Sequence, residues 1–151
     1  MKSLVVYYSK SGNTKKVARA IAIGLGAELK NIKEIENISS YDLICIGTPV
    51  HAFAPSKPIK KFLKELPDLS DKKGAGFCTM HAFGGKRTLR IIKERLEVKG
   101  IQFLSGFSCK DINSIFSDTG SKNFNKEKPN EEDLKQAEDF GKKLLSEVEK
   151  F

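Results

Sequence analysis

Strand-like and helix-like segments alternate along this chain, and the alternation predicts an α/β fold: a three-layer α/β/α sandwich around a five-stranded parallel sheet. Two observations carry that expectation. Leu4-Val5-Val6-Tyr7-Tyr8 and Asp42-Leu43-Ile44-Cys45-Ile46-Gly47 are continuous apolar runs, the pattern of strands buried on both faces. Between them Val17, Ala18, Ile21, Ala22 and Leu25 recur at three- and four-residue spacing, which puts one apolar stripe on a helix.

The remaining elements follow in order. Gly24 and Gly26 are expected to end the first helix. Ala27 to Lys33 alternates and predicts a second strand nearer the sheet edge. After the third strand, a helix with Ile59, Phe62, Leu63 and Leu66 facing inward begins at Ser56 and Pro58 and stops at Pro67. Lys73 to Met80 predicts a fourth strand, whose glycines allow close packing. Thr88 to Lys99 is a helix with Leu89, Ile92 and Leu96 on one side and Gly100 as its cap, and Ile101 to Cys109 is a fifth strand. Asn130 caps the last helix, Asp133 closes a capping box, and Leu134, Ala137, Leu144, Leu145 and Val148 form its stripe. Lys110 to Pro129 has no clear period but carries Ile112, Ile115, Phe116 and Phe124, and is expected to be a packed loop.

The 151 residues suit one domain over residues 1–151, with no repeat and no linker. No apolar run is long enough to span a membrane. Met1-Lys2-Ser3 leads directly into a strand, without the length of a secretory leader, so the expected location is the cytoplasm. Cys45 and Cys78 sit inside apolar strands, where a thiol behaves as a small hydrophobe; a redox or metal role is the alternative. Two histidines far apart give no zinc pattern, and no metal is expected. The net charge of +8 favours anionic partners. Its lysines are scattered as on solvated helix faces, the alternatives being an acidic partner or nucleic acid; no aromatic-basic motif supports the latter.

In an open parallel sheet, ligands bind beyond the carboxyl ends of the strands, so the loops after strands one, three and four are the candidate site. The first is Ser9-Lys10-Ser11-Gly12-Asn13-Thr14. Hydroxyls at Ser9, Ser11 and Thr14 can donate to phosphate oxygens, Gly12 lets the backbone curl its N–H groups inward, and the helix start adds its positive end. The loop lacks the Gly-Lys-Ser/Thr of the Walker type.

This loop resembles the phosphate-binding loop of flavodoxins, Ser/Thr-x-Ser/Thr-Gly-x-Ser/Thr directly after the first strand, at every position. Tyr41 to Pro49 is also similar to that family's third strand and the start of its next flavin loop, and the element order resembles a short-chain flavodoxin throughout. The resemblance implies the flavodoxin-like fold with strand order 2-1-3-4-5 and FMN as cofactor. It implies that Thr48, Pro49, Val50, His51, Ala52 and Phe53 form a second cofactor loop, with Phe53 and His51 as stacking or edge contacts. It further implies that Thr79, His81, Ala82, Phe83, Gly84 and Gly85 form a third, offering backbone groups to the pyrimidine end and Phe83 as a second platform.

Three features depart from the family. The chain has no Trp and neither flavin loop has a Tyr. Val50 to Ser56 contains no glycine, so a peptide turning toward the reduced flavin would do so at Ala52 or Ala54 with more steric cost, unless Gly84 serves. Flavodoxins are usually acidic, whereas +8 here would raise the reduction potential. The implied function is an FMN-binding electron carrier between redox partner proteins, with acidic docking surfaces expected on those partners, as a monomer or weak dimer. The alternative is an FMN-dependent NAD(P)H or quinone oxidoreductase. A receiver domain would need aspartates where Ser9-Lys10 and Gly47-Thr48 stand, and a low-molecular-weight phosphatase would need a cysteine and arginine around the first loop; neither set is present.

Overall fold

The computed structural model describes residues 1–110 and 129–150; the expectation for 111–128 lies outside the described residues. The chain runs β1 (Ser3–Tyr7), α1 (Asn13–Leu25), β2 (Glu28–Asn31), β3 (Leu43–His51), β4 (Ala54–Pro55), α2 (Lys57–Glu65), β5 (Lys73–Met80), α3 (Gly85–Val98), β6 (Gln102–Lys110) and α4 (Glu131–Glu149). Five parallel strands lie in the order β2-β1-β3-β5-β6, the expected arrangement, and the two-residue β4 pairs antiparallel with the end of β3.

Strand periodicity divides the core into two layers. Val5 and Tyr7 of β1, Leu43 and Cys45 of β3, and Ala75 and Phe77 of β5 pack with Val17, Ile21, Ala137, Phe140 and Leu144 of α1 and α4. The alternate residues Leu4, Val6, Ile44 and Ile46 pack with Ile59, Leu63, Ile92 and Leu96 of α2 and α3. On that second face β5 presents Gly74 and Gly76, and a Cβ on Gly76 would press against Ile92, so α3 lies close against the sheet.

Several boundaries differ from expectation for local reasons. β2 stops at Asn31 because the Asn31 side chain accepts from the Lys33 amide while Glu34 accepts from the Asn31 amide, a capping box that turns the chain into a short 3-10 helix. α2 ends at Glu65, since Pro67 holds Leu66 out of the helical region (ψ 141°). α3 begins at Gly85, three residues early, with the Thr88 amide donating to the Gly84 carbonyl. β3 continues through Thr48, Pro49, Val50 and His51: the first two pair with β5 and the last two with β4. The last helix is capped as expected, Asn130 and Asp133 each holding the other's amide at 2.9 Å.

Gly24 is a correction. It lies inside α1, and the helix ends at Gly26, whose left-handed backbone (φ 71°) lets its amide donate to the Ala22 carbonyl. A Cβ on Gly24 would collide with the Glu138 carbonyl of α4, and one on Gly141 of α4 would collide with the Ile21 carbonyl of α1. The two glycines face each other where the helices cross, and their missing side chains set the crossing distance.

In an exposed helix Gly→Ala stabilises by about 1 kcal/mol. Gly24→Ala is expected to act in the opposite sense, lowering unfolding stability by about 2 kcal/mol through overpacking against backbone. Urea denaturation checks this, and a stabilised variant would show that the crossing is not tight.

Candidate functional site

Adjacency of β1, β3 and β5 brings three connections to one edge of the sheet: residues 8–12, the β3–β4 turn, and residues 81–84. Each is built differently.

In the first loop Ser9 folds its hydroxyl back under the turn, where Oγ accepts from the Gly12 amide (3.0 Å) and the Lys15 amide (3.3 Å). Gly12 has φ 96° and precedes α1 as an N-cap with no side chain to hold the first amides. The first turn of α1 has no acidic residue, so the positive end of the helix is not offset locally. Lys10 and Ser11 are exposed at the crest. A Cβ on Gly12 would meet nothing within 4 Å, so the loop is open on that side. An anion fits this arrangement.

Thr14 and Thr79 lie beneath the edge. Both are buried, and their hydroxyl oxygens are 2.7 Å apart, which links the base of the first loop to the end of β5. Thr48 plays a similar part at the neck of the second connection. Its Oγ1 accepts from the Ser56 amide (3.0 Å) and lies 2.8 Å from the Pro49 carbonyl. Each threonine keeps its hydroxyl satisfied out of water, as buried polar groups require.

The second connection is a hairpin. His51 pairs with Ala54 across the two-residue turn Ala52-Phe53, and both turn residues are left-handed (φ 51° and 64°). Type I′ turns demand that backbone and usually recruit Asn-Gly for it. Here a non-glycine pair holds it, at about 1–2 kcal/mol of strain per residue. Two contacts stabilise the turn. Arg87 Nη1 of α3 donates to the Phe53 carbonyl at 3.3 Å. Gly84 (φ 97°) packs so closely that a Cβ there would lie 2.9 Å from Phe53 Cα and from Val50 Cγ1.

The third connection, His81-Ala82-Phe83-Gly84, is exposed up to Gly84, while Gly85 is buried against the Met80 sulfur and Ser108. Phe83 is 76% exposed and Phe53, beside Gly84, is 55% exposed. Apolar rings so open on adjacent loops leave a large apolar surface available to a flat partner. His51, Ala52, His81 and Ala82 are exposed on the same two loops, with Val50 and Pro49 half-buried below.

Cysteine chemistry has no part here. Cys45, Cys78 and Cys109 are free and buried. Burial pushes the Cys78 thiol up to about 12 and holds Cys45 far above the usual thiol range, so neither is a thiolate at neutral pH. Among the described residues no group of three His, Cys, Asp or Glu side chains could hold a metal ion, and no helix is long and apolar enough to cross a membrane.

Arg87 and Ser56 were not legible as site residues. Each acts through a partner thirty-four or eight residues away, and neither lies in a recognisable motif.

A family model described as a flavodoxin domain matches residues 4–102. An uncharacterized protein of Methanocaldococcus jannaschii is 34% identical over 154 residues, which span 96% of this chain and 99% of that one. Among solved structures, a flavodoxin from the domain Archaea superposes with a TM-score of 0.76 at 22% identity, covering 99% of both chains. A flavoprotein of Lactobacillus acidophilus solved in complex with FMN is 26% identical, with a TM-score of 0.61 over 71% of this chain and 92% of that chain.

The strain at the hairpin is measurable. Ala52→Gly is expected to raise stability by about 0.5–1 kcal/mol, because relief of the left-handed penalty exceeds glycine's entropic cost. Chemical denaturation of the variant checks the sign, and a destabilised protein would mean that Ala52 is not strained.

Proposed function

Since this chain belongs to the flavodoxin domain family, we propose that it binds FMN at the carboxyl edge of its sheet and carries electrons between redox proteins. One observation carries the reading: a hydroxyl-rich loop whose left-handed glycine is the N-cap of α1, with no acidic residue in the helix's first turn, stands beside two exposed phenylalanines on the adjacent loops. The FMN-bound Lactobacillus acidophilus relative supports the same cofactor.

Ser9, Lys10, Ser11, Gly12, Asn13 and Thr14 would hold the phosphate. Ser11 and the Lys10 ammonium stand exposed for it, while Ser9 keeps the loop curled. Thr14 serves from below through its bond to Thr79. Phe53 and Phe83 would cover the ring system, with Thr48, Pro49, Val50, His51 and Ala52 shaping one side and Thr79, His81, Ala82, Gly84 and Gly85 the other. Bound FMN supplies reversible electron uptake that no side chain of the protein can. The protein's share is to position the ring, shield it from water and set the local potential. The chain's excess of cations would favour the negatively charged reduced form and raise its potential.

Flavin fluorescence quenching tests the phosphate assignment. A hydrogen bond to a charged group contributes about 1.5–3 kcal/mol, so Ser11→Ala is expected to weaken FMN roughly tenfold or more. Riboflavin, which lacks the phosphate, should lose less than about twofold in the same measurement. Equal losses, or a protein that refuses FMN altogether, would defeat the proposal. Rapid NADPH or NADH oxidation by the FMN-loaded protein with a quinone as sole acceptor would make it an oxidoreductase instead.

A further inference from the structure

The charge of this protein is segregated by its sheet. On one face, α2 and α3 carry nine Lys and Arg against three Glu, a net of six positive charges out of the chain's +8. On the other, α1 carries three cations and no acid while α4 carries three cations against seven acids, a net of one negative charge. In sequence the lysines look like ordinary solvated helix faces. The topology gathers them into one layer.

That layer contains a groove of about 1040 Å³ between α2 and α3, open to solvent, with the hairpin residue Ala52 among its lining. Lys60, Lys61, Lys64, Arg87 and Arg95 line it, with Glu94 as their one acidic neighbour in the lining. Of these cations Lys61 has a partner in Glu65, at 3.9 Å on an exposed surface where such pairs count for little. Lys60, Lys64 and Arg95 make no ion pair among the described residues. Leu63, Ile91 and Val98 supply an apolar lining, and Val98 is 76% exposed. The far end is fixed, because Lys99 Nζ donates to the Lys64 carbonyl (3.2 Å) and the Leu69 amide donates to the Lys99 carbonyl (2.8 Å).

We propose that this groove is the docking site for an acidic, amphipathic segment of a partner protein, whose carboxylates meet the lysine and arginine rim while its apolar side chains cover Ile91 and Val98. The complementarity decides the occupant. Unpaired cations call for carboxylates or phosphates, whereas the exposed Val98 and half-buried Ile91 between them call for apolar cover, which a nucleic acid backbone lacks. Single-stranded nucleic acid sites present aromatic platforms for bases, and no aromatic residue lines this groove. The groove reaches the turn that also carries Phe53, so a segment seated in it brings its own protein to the edge of the candidate flavin site. That the partner is a redox protein rests on the carrier reading above; that the groove takes an acidic amphipathic segment does not.

The test uses a fluorescein-labelled helical peptide with Glu on one face and Leu at i, i+3, i+4 and i+7, measured by anisotropy against the full-length FMN-treated protein. Binding is expected at 50 mM salt and should weaken at least about tenfold at 300 mM, as exposed charges are screened. The variant Lys60→Glu, Lys64→Glu, Arg95→Glu should lose at least about tenfold, and its uncharged counterpart with Gln at the three positions an intermediate amount. A control with the same change in net charge elsewhere, Lys33→Glu, Lys135→Glu, Lys143→Glu, should lose less than about threefold. Val98→Ser should weaken the peptide but leave binding of a 15-residue oligo(dT) unchanged. Equal loss in the groove and control variants, no binding at 50 mM salt, or oligo(dT) binding as tightly as the peptide with the same dependence on the groove would each overturn the proposal. FMN affinity, read by flavin fluorescence on the same samples, should be the same in the groove variant and the unaltered protein. A chain that holds the peptide but refuses FMN would defeat the carrier reading and leave the docking site standing.

Discussion

A parallel sheet covered by helices on both faces has one place left for polar chemistry, the edge where its strands end, and the rest of this structure depends on that constraint. The apolar runs of β1 and β3 are wholly buried, with alternate residues committed to opposite helix layers. A polar group within those layers is costly unless its hydrogen bonds are met. The hydroxyls of Thr14, Thr79, Thr48 and Ser56 meet one another or nearby backbone just below the edge. They form a satisfied polar floor, and above it the three connections project residues that the core has no use for: Ser11, Phe53, His81 and Phe83. Burial and exposure thus change over within a few residues, at the ends of β1, β3 and β5.

Continuous apolar runs made the strands legible, because a strand buried on both faces has few alternatives. Spacing made the helices legible for the same reason. What could not be read was anything decided by an approach in space. Gly24 has the appearance of a helix stop, yet it is a contact surface for α4, a fact that depends on Gly141 more than a hundred residues away. Thr48 to His51 lack the look of a strand, with a proline among them, but β5 on one side and β4 on the other supply their partners. The first loop was legible because its chemistry is local: hydroxyls, a glycine and a helix start lie within six residues. The second was legible only as a set of residues. Its turn geometry rests on Arg87 and Gly84, and their bearing on Phe53 exists only in the fold.

Charge behaves in the same way. A strand–helix–strand unit returns to a parallel neighbour across one face, so the direction in which the chain is wound decides which helices share a layer. Winding outward from β1 toward β2 puts α1 on one face, and winding through β3, β5 and β6 puts α2 and α3 on the other. A sequence whose cations are spread over several helices therefore becomes a folded molecule with one strongly basic face. The acidic helix α4 returns to pack on α1 and neutralises the opposite face. Association can then be oriented as well as fast, because the field has a direction.

The two glycines that introduce α1 and α3 show how one backbone conformation serves two purposes. Gly12 and Gly84 have nearly the same geometry, φ 96° with ψ −10° and φ 97° with ψ −1°, and as N-cap residues neither brings a side chain to its helix. Around Gly12 the space is empty, so glycine is demanded there by φ alone and the loop stays open on that side. Around Gly84 the space is filled by Phe53 and Val50, so glycine is demanded twice, by φ and by contact. The open one lies in the loop whose chemistry suits a phosphate. The closed one lies where a strained turn must be held against relaxing, and Arg87, three residues later on the same helix, completes the hold through the Phe53 carbonyl. The start of α3 is therefore spent on holding the backbone of the turn that carries Phe53, whereas the start of α1 opens toward solvent at Gly12. That division of labour lets an open edge built from short loops present both a loop suited to an anion and an apolar surface.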